Sequence, residues 1–254
     1  MQLTNNTIFI TGGTSGIGRG LAEAFHKLGN QVVIGGRRKA LLDEVTGANP
    51  GMGAVEVDIA DPASIERAAA TLIADYPSLN VLINNAGIMP FDDPSGRIDD
   101  AVAQASIATN LLGPIRMTSA LIEHLKAQPR ATVVNNTSVL AYVPIATNAV
   151  YSATKAALHS YTLSLRFMLR ATAVTVQEIA PPWVNTDLIH KGDDPRAMPL
   201  DAFIAQTMEA LGGGRPEALV ESAVPMRANA GPDEHKFVDE FNAYIAANPI
   251  PVGA

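Results

Sequence analysis

The chain has 254 residues, 47% of them hydrophobic and only 17% charged, a balance that excludes an extended disordered chain. At this length folding hides about 70–75% of the surface that the extended chain would expose, so a sizeable core is expected. Eighteen Lys and Arg against 25 Asp and Glu leave a net charge of −7, which argues against a general grip on nucleic acid or an anionic membrane. Without cysteine there are no disulfides, thiolate metal sites or nucleophilic thiol. No apolar run approaches the roughly 18 residues of a membrane span. Residues 1–6 also lack the basic start of a leader. The expectation is a cytoplasmic globular protein.

Short β-branched runs at 7–11, 31–34, 55–57, 81–83, 132–135 and 174–178 alternate with amphipathic stretches at 16–28, 38–46, 62–75, 98–127 and 149–171. The runs are apolar rather than alternating, as strands covered on both faces should be. Strand–helix alternation predicts right-handed crossovers and an α/β, doubly wound, mostly parallel (Rossmann-type) sheet of order 3-2-1-4-5-6, open to a seventh strand. No repeat or linker divides the chain, so residues 1–254 read as one domain. Pro181-Pro182 closes the sixth strand. The stretch 187–214 is polar and proline-bearing, with a helix at 200–211 and then Gly212-Gly213-Gly214. It reads as a mobile flap over a binding site, with His190 able to touch a ligand. A last amphipathic helix is expected at 232–246.

Directly after the first strand stands Thr11-Gly12-Gly13-Thr14-Ser15-Gly16-Ile17-Gly18, opening into a helix. Glycines allow a tight turn and close backbone approach, and free N–H groups at the helix start attract a pyrophosphate. A glycine run alone is weak evidence; its place between the first strand and first helix gives it weight. At the end of the second strand an acidic residue commonly binds the adenosine ribose 2′-hydroxyl. Here Gly36 takes that place and Arg37-Arg38 follow, a pair suited to a 2′-phosphate.

Farther along, Asn84-Asn85-Ala86-Gly87 follows one strand, Ser138 follows another, and Tyr151 and Lys155 share a helix face at i and i+4. Alone, such a pair describes an ordinary helix surface. A tyrosine near its reference value of about 10 is a poor base at neutral pH, and an adjacent ammonium is expected to lower that value. Tyr151 then exchanges a proton with an alcohol or carbonyl oxygen, to which Ser138 donates a hydrogen bond.

Taken together these residues resemble the short-chain dehydrogenase/reductase family: the Thr-Gly-x-x-x-Gly-x-Gly loop, Asn-Asn-Ala-Gly, Ser138 and Tyr151-x-x-x-Lys155 occur in family order within about residues 5–190. Within that family, 107–116 and 159–166 are most similar to the DltE-type oxidoreductases. The resemblance implies a cofactor site made of Gly12, Thr14, Ser15, Gly16, Ile17, Gly18, Arg37, Arg38, Asp58, Ile59, Asn84, Ala86, Gly87 and Pro181. It further implies that Asp58 lies beside the adenine and that Val184 and Thr186 hold the nicotinamide amide. Lys155 would bind the nicotinamide ribose and Asn110 would hold a water relaying protons through Lys155. Two features depart from the family: Pro182 replaces a glycine, removing an N–H, and the chain lacks the usual Asp-Gly-Gly ending.

The reading that results is an NADP-dependent oxidoreductase interconverting a ketone or aldehyde and an alcohol, with catalytic Asn110, Ser138, Tyr151 and Lys155 and use of NAD left open. The alternatives are an NAD-dependent alcohol dehydrogenase of the same fold and an inactive nucleotide-binding sensor or scaffold. The expected partner is a small-molecule carbonyl or alcohol, not nucleic acid or membrane. Helices at 110–127 and 149–171 are apolar on more than one face, which predicts a homo-oligomer, dimer or tetramer. Trp183 and Tyr142 adjoin the matched segments and are candidates to line a substrate pocket. The five histidines show no metal-ligand spacing, so no metal is expected.

Overall fold

In the computed structural model, which describes residues 1–189, 192, 194–229 and 231–249, the short apolar runs all become strands. They are β1 (Thr7–Thr11), β2 (Gln31–Gly36), β3 (Gly53–Glu56), β4 (Leu79–Asn84), β5 (Ala131–Asn136) and β6 (Val174–Ile179). A two-residue β7 (Glu217–Ala218) joins the far edge. All pairings are parallel and the order is β3-β2-β1-β4-β5-β6-β7, the expected sheet with its seventh strand.

Side chains alternate across this sheet into two cores. Ile8, Ile10, Val32, Ile34 and Ile83 pack against Leu21 and Phe25 of α1 (Gly16–Lys27) and Leu42 of α2 (Lys39–Ala48). Phe9, Val33, Leu82 and Val133 face Ile65 and Leu72 of α3 (Pro62–Asp75) on the other side. Each fully buried side chain of this size contributes about 1.5–3 kcal/mol, which is why both faces of each strand are apolar. The start of α3 is set by Asp61, whose carboxylate accepts from the N–H groups of Ala63 and Ser64 at 3.0 and 3.2 Å, with Pro62 at the first helical position.

The stretch 98–127 is not one helix. It is α4 (Asp100–Ile107), a π-helical turn (Ala108–Leu112) and α5 (Gly113–Lys126). The α-helical partner of the Asn110 carbonyl would be the nitrogen of Pro114, which carries no hydrogen, so the register widens there. The remaining helices are α6 (Ala149–Leu169), α7 (Leu200–Gly212), α8 (Val224–Arg227) and α9 (Glu234–Ala247). Among the described residues no helix is long and apolar enough to cross a membrane.

The expected flap divides. Phe203, Met208 and Leu211 bury α7 in the first core, and a Cβ on Gly20 of α1 would lie 2.8 Å from Ile204, so α7 is a core helix. Of the expected flap, residues 187–189, 195–199 and Gln206 line the cleft, and His190, Lys191 and Asp193 lie outside the described residues. Its return leg is tied to residues 183–185: Met198 N–H donates to the Trp183 carbonyl at 2.8 Å and Asn185 N–H to that of Met198 at 2.9 Å.

Candidate active site

Parallel strands all end on one edge, and the order reverses between β1 and β4, so the loops there part and leave a crevice. A cleft of about 1100 Å³ opens at that place. Gly12, Thr14, Ser15, Gly16, Ile17, Arg37, Arg38, Asp58 and Ile59 line it, as do Ala86, Gly87, Ser138, Tyr151, Lys155, Pro181, Val184 and Thr186.

At one end lies the turn from β1 into α1. Gly12 has φ of +68°, and a Cβ there would stand 2.9 Å from Ala86 Cα, so only glycine lets the two loops meet. Gly18 closes the turn from beneath: a Cβ would fall within van der Waals overlap of the Gly12 carbonyl oxygen. Ser15 precedes α1 without capping it through its side chain, and no acidic residue stands in the first turn. The N–H groups of that turn and the positive end of the helix dipole therefore face the cleft uncompensated. Arg37 and Arg38 are exposed at the end of β2, and among the described residues neither guanidinium enters a salt bridge.

At the other end, β5 runs into Ser138 and α6 carries Tyr151 and Lys155, all buried. The Ser138 hydroxyl lies in the same cleft as the Tyr151 phenol and donates to the Pro181 carbonyl at 3.5 Å. It also accepts from Leu140 N–H at 3.1 Å. Lys155 Nζ donates to the Asn136 carbonyl at 2.8 Å and stands 5.5 Å from the centroid of the Tyr151 ring. Gly87 separates this lysine from Asn110: its missing Cβ would be 3.8 Å from Lys155 Nζ and 3.3 Å from Asn110 Oδ1. The Asn136 Oδ1 atom is buried and has no partner among the described residues, an acceptor left for a bound group.

Burial moves both titrating groups away from their anionic and cationic forms. Desolvation pushes the Tyr151 phenol up to about 12, only partly opposed by Ser138. Desolvation also brings Lys155 down to about 8, against the pull of Glu178. The expectation that the Tyr151 value is lowered is thus reversed: the cost of burying a phenolate is the largest influence on it.

Three expected residues do not line the cleft. Asn84 sits beneath it, donating to Thr118 Oγ1 and Asn135 Oδ1, both at 2.9 Å. Its neighbour Asn85 faces the cleft instead and donates to the carbonyls of Thr11 and Gly12. Asn110, fully buried in the π turn, donates from Nδ2 to the Ile88 carbonyl at 2.8 Å and accepts from Ile88 N–H at 2.9 Å. Gly18 acts by packing, as described. Of the two aromatic candidates, Trp183 lines the cleft, whereas Tyr142 turns behind it to donate to Glu178 at 3.1 Å.

Sequence reasoning missed Phe241, Tyr244 and Ile245 of α9, which reach the same cleft. With Met89, Leu140 and Ile145, residues Phe241 and Ile245 form an apolar cluster around Tyr151. The i, i+4, i+8 spacing of Phe237, Phe241 and Ile245 was the available signal. Also missed was a cluster of His159, Glu178 and Glu217, whose ligand atoms lie within 4.8 Å of one another. It comes from α6, β6 and β7, which no spacing of histidines reveals.

Fold and cleft together define an α/β dinucleotide-binding protein. Residues 6–196 match the family profile described as short chain dehydrogenase. The oxidoreductase DltE of Bacillus subtilis is 38% identical over 95% of this chain and 98% of its own length. An NADP-dependent 3-hydroxy acid dehydrogenase of Salmonella typhi is 34% identical over 75% of this chain and 79% of its own. The crystal structure of a short chain dehydrogenase from Burkholderia cenocepacia in complex with NADP superposes with a TM-score of 0.82 at 27% identity, covering 99% of this chain and 100% of that one. The chain belongs to the short-chain dehydrogenase/reductase family, and it is an NAD(P)-dependent oxidoreductase acting on a small-molecule substrate.

Proposed function

We propose that the protein is an NADP(H)-dependent enzyme that interconverts a ketone or aldehyde and an alcohol. The observation that carries this reading is one cleft with two chemically distinct ends. The uncapped start of α1 lies at one, and Ser138 and Tyr151, with Lys155 a helical turn away, lie at the other. The residues present fit the cofactor. Gly12 and Gly18 clear room for a pyrophosphate, and Arg37 and Arg38, which line the cleft, offer charge to a 2′-phosphate. Asp58 and Ile59, assigned to the adenine, and Pro181, Val184 and Thr186, assigned to the nicotinamide, all line the same cleft. The NADP in the Burkholderia structure and in the name of the Salmonella enzyme supports NADP over NAD.

When bound, NADPH supplies the hydride. Tyr151 keeps its proton at neutral pH and gives it to the carbonyl oxygen as negative charge develops there, forming the O–H bond of the alcohol. Ser138 donates a hydrogen bond to the same oxygen. The Lys155 ammonium stabilises the phenolate that remains and binds the cofactor ribose. Asn110 fixes the loop after β4 through Ile88, which lines the cleft. An NADPH-oxidation screen across ketones, aldehydes and ketoesters tests the reading; absence of turnover with every carbonyl, in a protein that binds NADPH, overturns it.

The reading includes a homo-oligomer. Leu163, Phe167 and Met168 of α6 are exposed, Met168 at 72%. Such a patch is costly to leave in water, and a second copy of the chain would cover it. Light scattering at micromolar concentration tests this, and a monomeric mass contradicts it.

A further inference from the structure

Where the cleft reaches Tyr151 its described walls are apolar. Met89, Leu140, Ile145, Ile189, Phe241 and Ile245 all line it and form one cluster with the phenol ring. The last two belong to α9. Phe241 also packs, with Phe237 and Val238 of the same helix, on Tyr142, Val143 and Ala180. Asn242 fixes the helix from its middle: Nδ2 donates to the Pro144 carbonyl at 3.0 Å, and Oδ1 accepts from Ala146 N–H. Beyond its last turn, the Arg196 guanidinium donates to the carbonyls of Asn248 and Pro249. Held in this way, α9 is a fixed apolar wall beside the reacting group.

The cations are engaged elsewhere. Among the described residues, those lining the cleft are Arg37, Arg38, Lys155 and Arg196. The first two follow β2, which β1 and β4 separate from β5 and Ser138. Lys155 donates to the Asn136 carbonyl. Arg196 is neutralised by Asp194, to which Nε and Nη2 donate at 2.9 and 2.6 Å. Asp187 and Glu221 also line the cleft and add negative charge to it. We propose that the substrate is a neutral carbonyl compound with a bulky apolar substituent, aryl or branched alkyl, lodged against α9, and that Phe241 is the specificity-determining residue. A ketone bearing a carboxylate is disfavoured: its charge would lose water beside α9 without gaining a partner, whereas an apolar group gains from the same burial.

The inference rests on Tyr151 being the reacting acid, so its test reads occupancy without turnover. Trp183 is the only tryptophan of the chain and lines the cleft, so its fluorescence reports a ligand there. The NADP-loaded protein is titrated with ethyl α-ketoisocaproate, with α-ketoisocaproate and with ethyl pyruvate, which separate charge from apolar bulk. The branched ester should bind about tenfold or more tightly than either of the others, since three further buried carbons and an uncharged end both favour it. Phe241→Ala should weaken the ester about tenfold and leave the NADPH Kd unchanged. An acid bound as tightly as its ester, or an ester bound equally by Phe241→Ala and wild type, overturns the proposal. Should Phe241→Ala fail to fold, Ile245→Lys decides, because it sets a cation in the same cluster near the end of α9. The preference for ester over acid should then shrink about tenfold, and an unchanged preference overturns the proposal. Failure of every carbonyl to be reduced, with the ester bound as expected, counts against the reaction proposed above and not against this pocket.

Discussion

Tyr151 and Lys155 stand one turn apart on α6, with the ammonium 5.5 Å from the phenol ring, and burial drives their titrations in opposite directions, to about 12 and about 8. Both groups thus favour their neutral forms more than free side chains do. At neutral pH the tyrosine is protonated and the lysine still largely charged, the state suited to delivering a proton to a carbonyl oxygen.

A pH dependence follows with a definite sign. Reduction needs the Tyr151 proton, present below about 12, and the Lys155 charge, present below about 8. The kcat for carbonyl reduction should be flat toward acid and fall as pH rises through about 8, approaching tenfold per unit beyond it. A profile still flat well above that pH would detach Lys155 from the rate.

Cofactor choice should depend on Arg37. A charge-assisted contact with a 2′-phosphate is worth about 1–3 kcal/mol, so Arg37→Ala should lower kcat/KM for NADPH by roughly 5–150-fold while leaving NADH nearly unchanged. Equal use of NADH by the wild type would contradict the assignment.

Two glycines of left-handed backbone separate stability from binding. Gly12 has φ of +68° and Gly29 +81°, but only Gly12 would press a Cβ on the opposite loop; nothing lies within 4 Å of that position at Gly29. Gly29→Ala should lose about 1–2 kcal/mol of stability to backbone strain, and Gly12→Ala more, because its Cβ also meets the Ala86 backbone. Only Gly12→Ala should weaken NADPH binding, by about tenfold or more, measured by cofactor fluorescence.

Most of the architecture was legible because strands buried on both faces leave uninterrupted apolar runs, and the glycine loop falls at the first strand–helix turn. The break in the long helix was signalled by Gly113-Pro114, yet the amphipathic pattern continues through it and hides the π turn that carries Asn110. The Tyr151 shift was misjudged because sequence shows the lysine four residues on but not the depth of burial. Glu178 escaped notice since its partners, Thr137, Tyr142 and His159, meet only through the pairing of β5 with β6 and the packing of α6. Phe241 and Ile245 were readable as one face of a helix, but not that α9 folds back over the cleft.

Ser138 and Tyr151 should differ in degree. Ser138→Ala removes one hydrogen bond to the reacting oxygen and leaves the proton donor in place. Its kcat should therefore fall less than that of Tyr151→Phe, with NADPH binding unchanged in both. A Ser138→Ala loss exceeding that of Tyr151→Phe would assign the proton to the serine instead.

The most direct test is Tyr151→Phe with both kcat for a carbonyl substrate and the NADPH Kd measured. The ring remains in its apolar cluster with Met89 and Ile145, so folding and cofactor affinity should hold. The hydroxyl alone is lost, and kcat should drop by about 10²–10⁴-fold, or roughly 3–5 kcal/mol of barrier. A variant that binds NADPH normally and turns over at close to the wild-type rate would mean that the proton comes from another group, and that Tyr151 is not the acid.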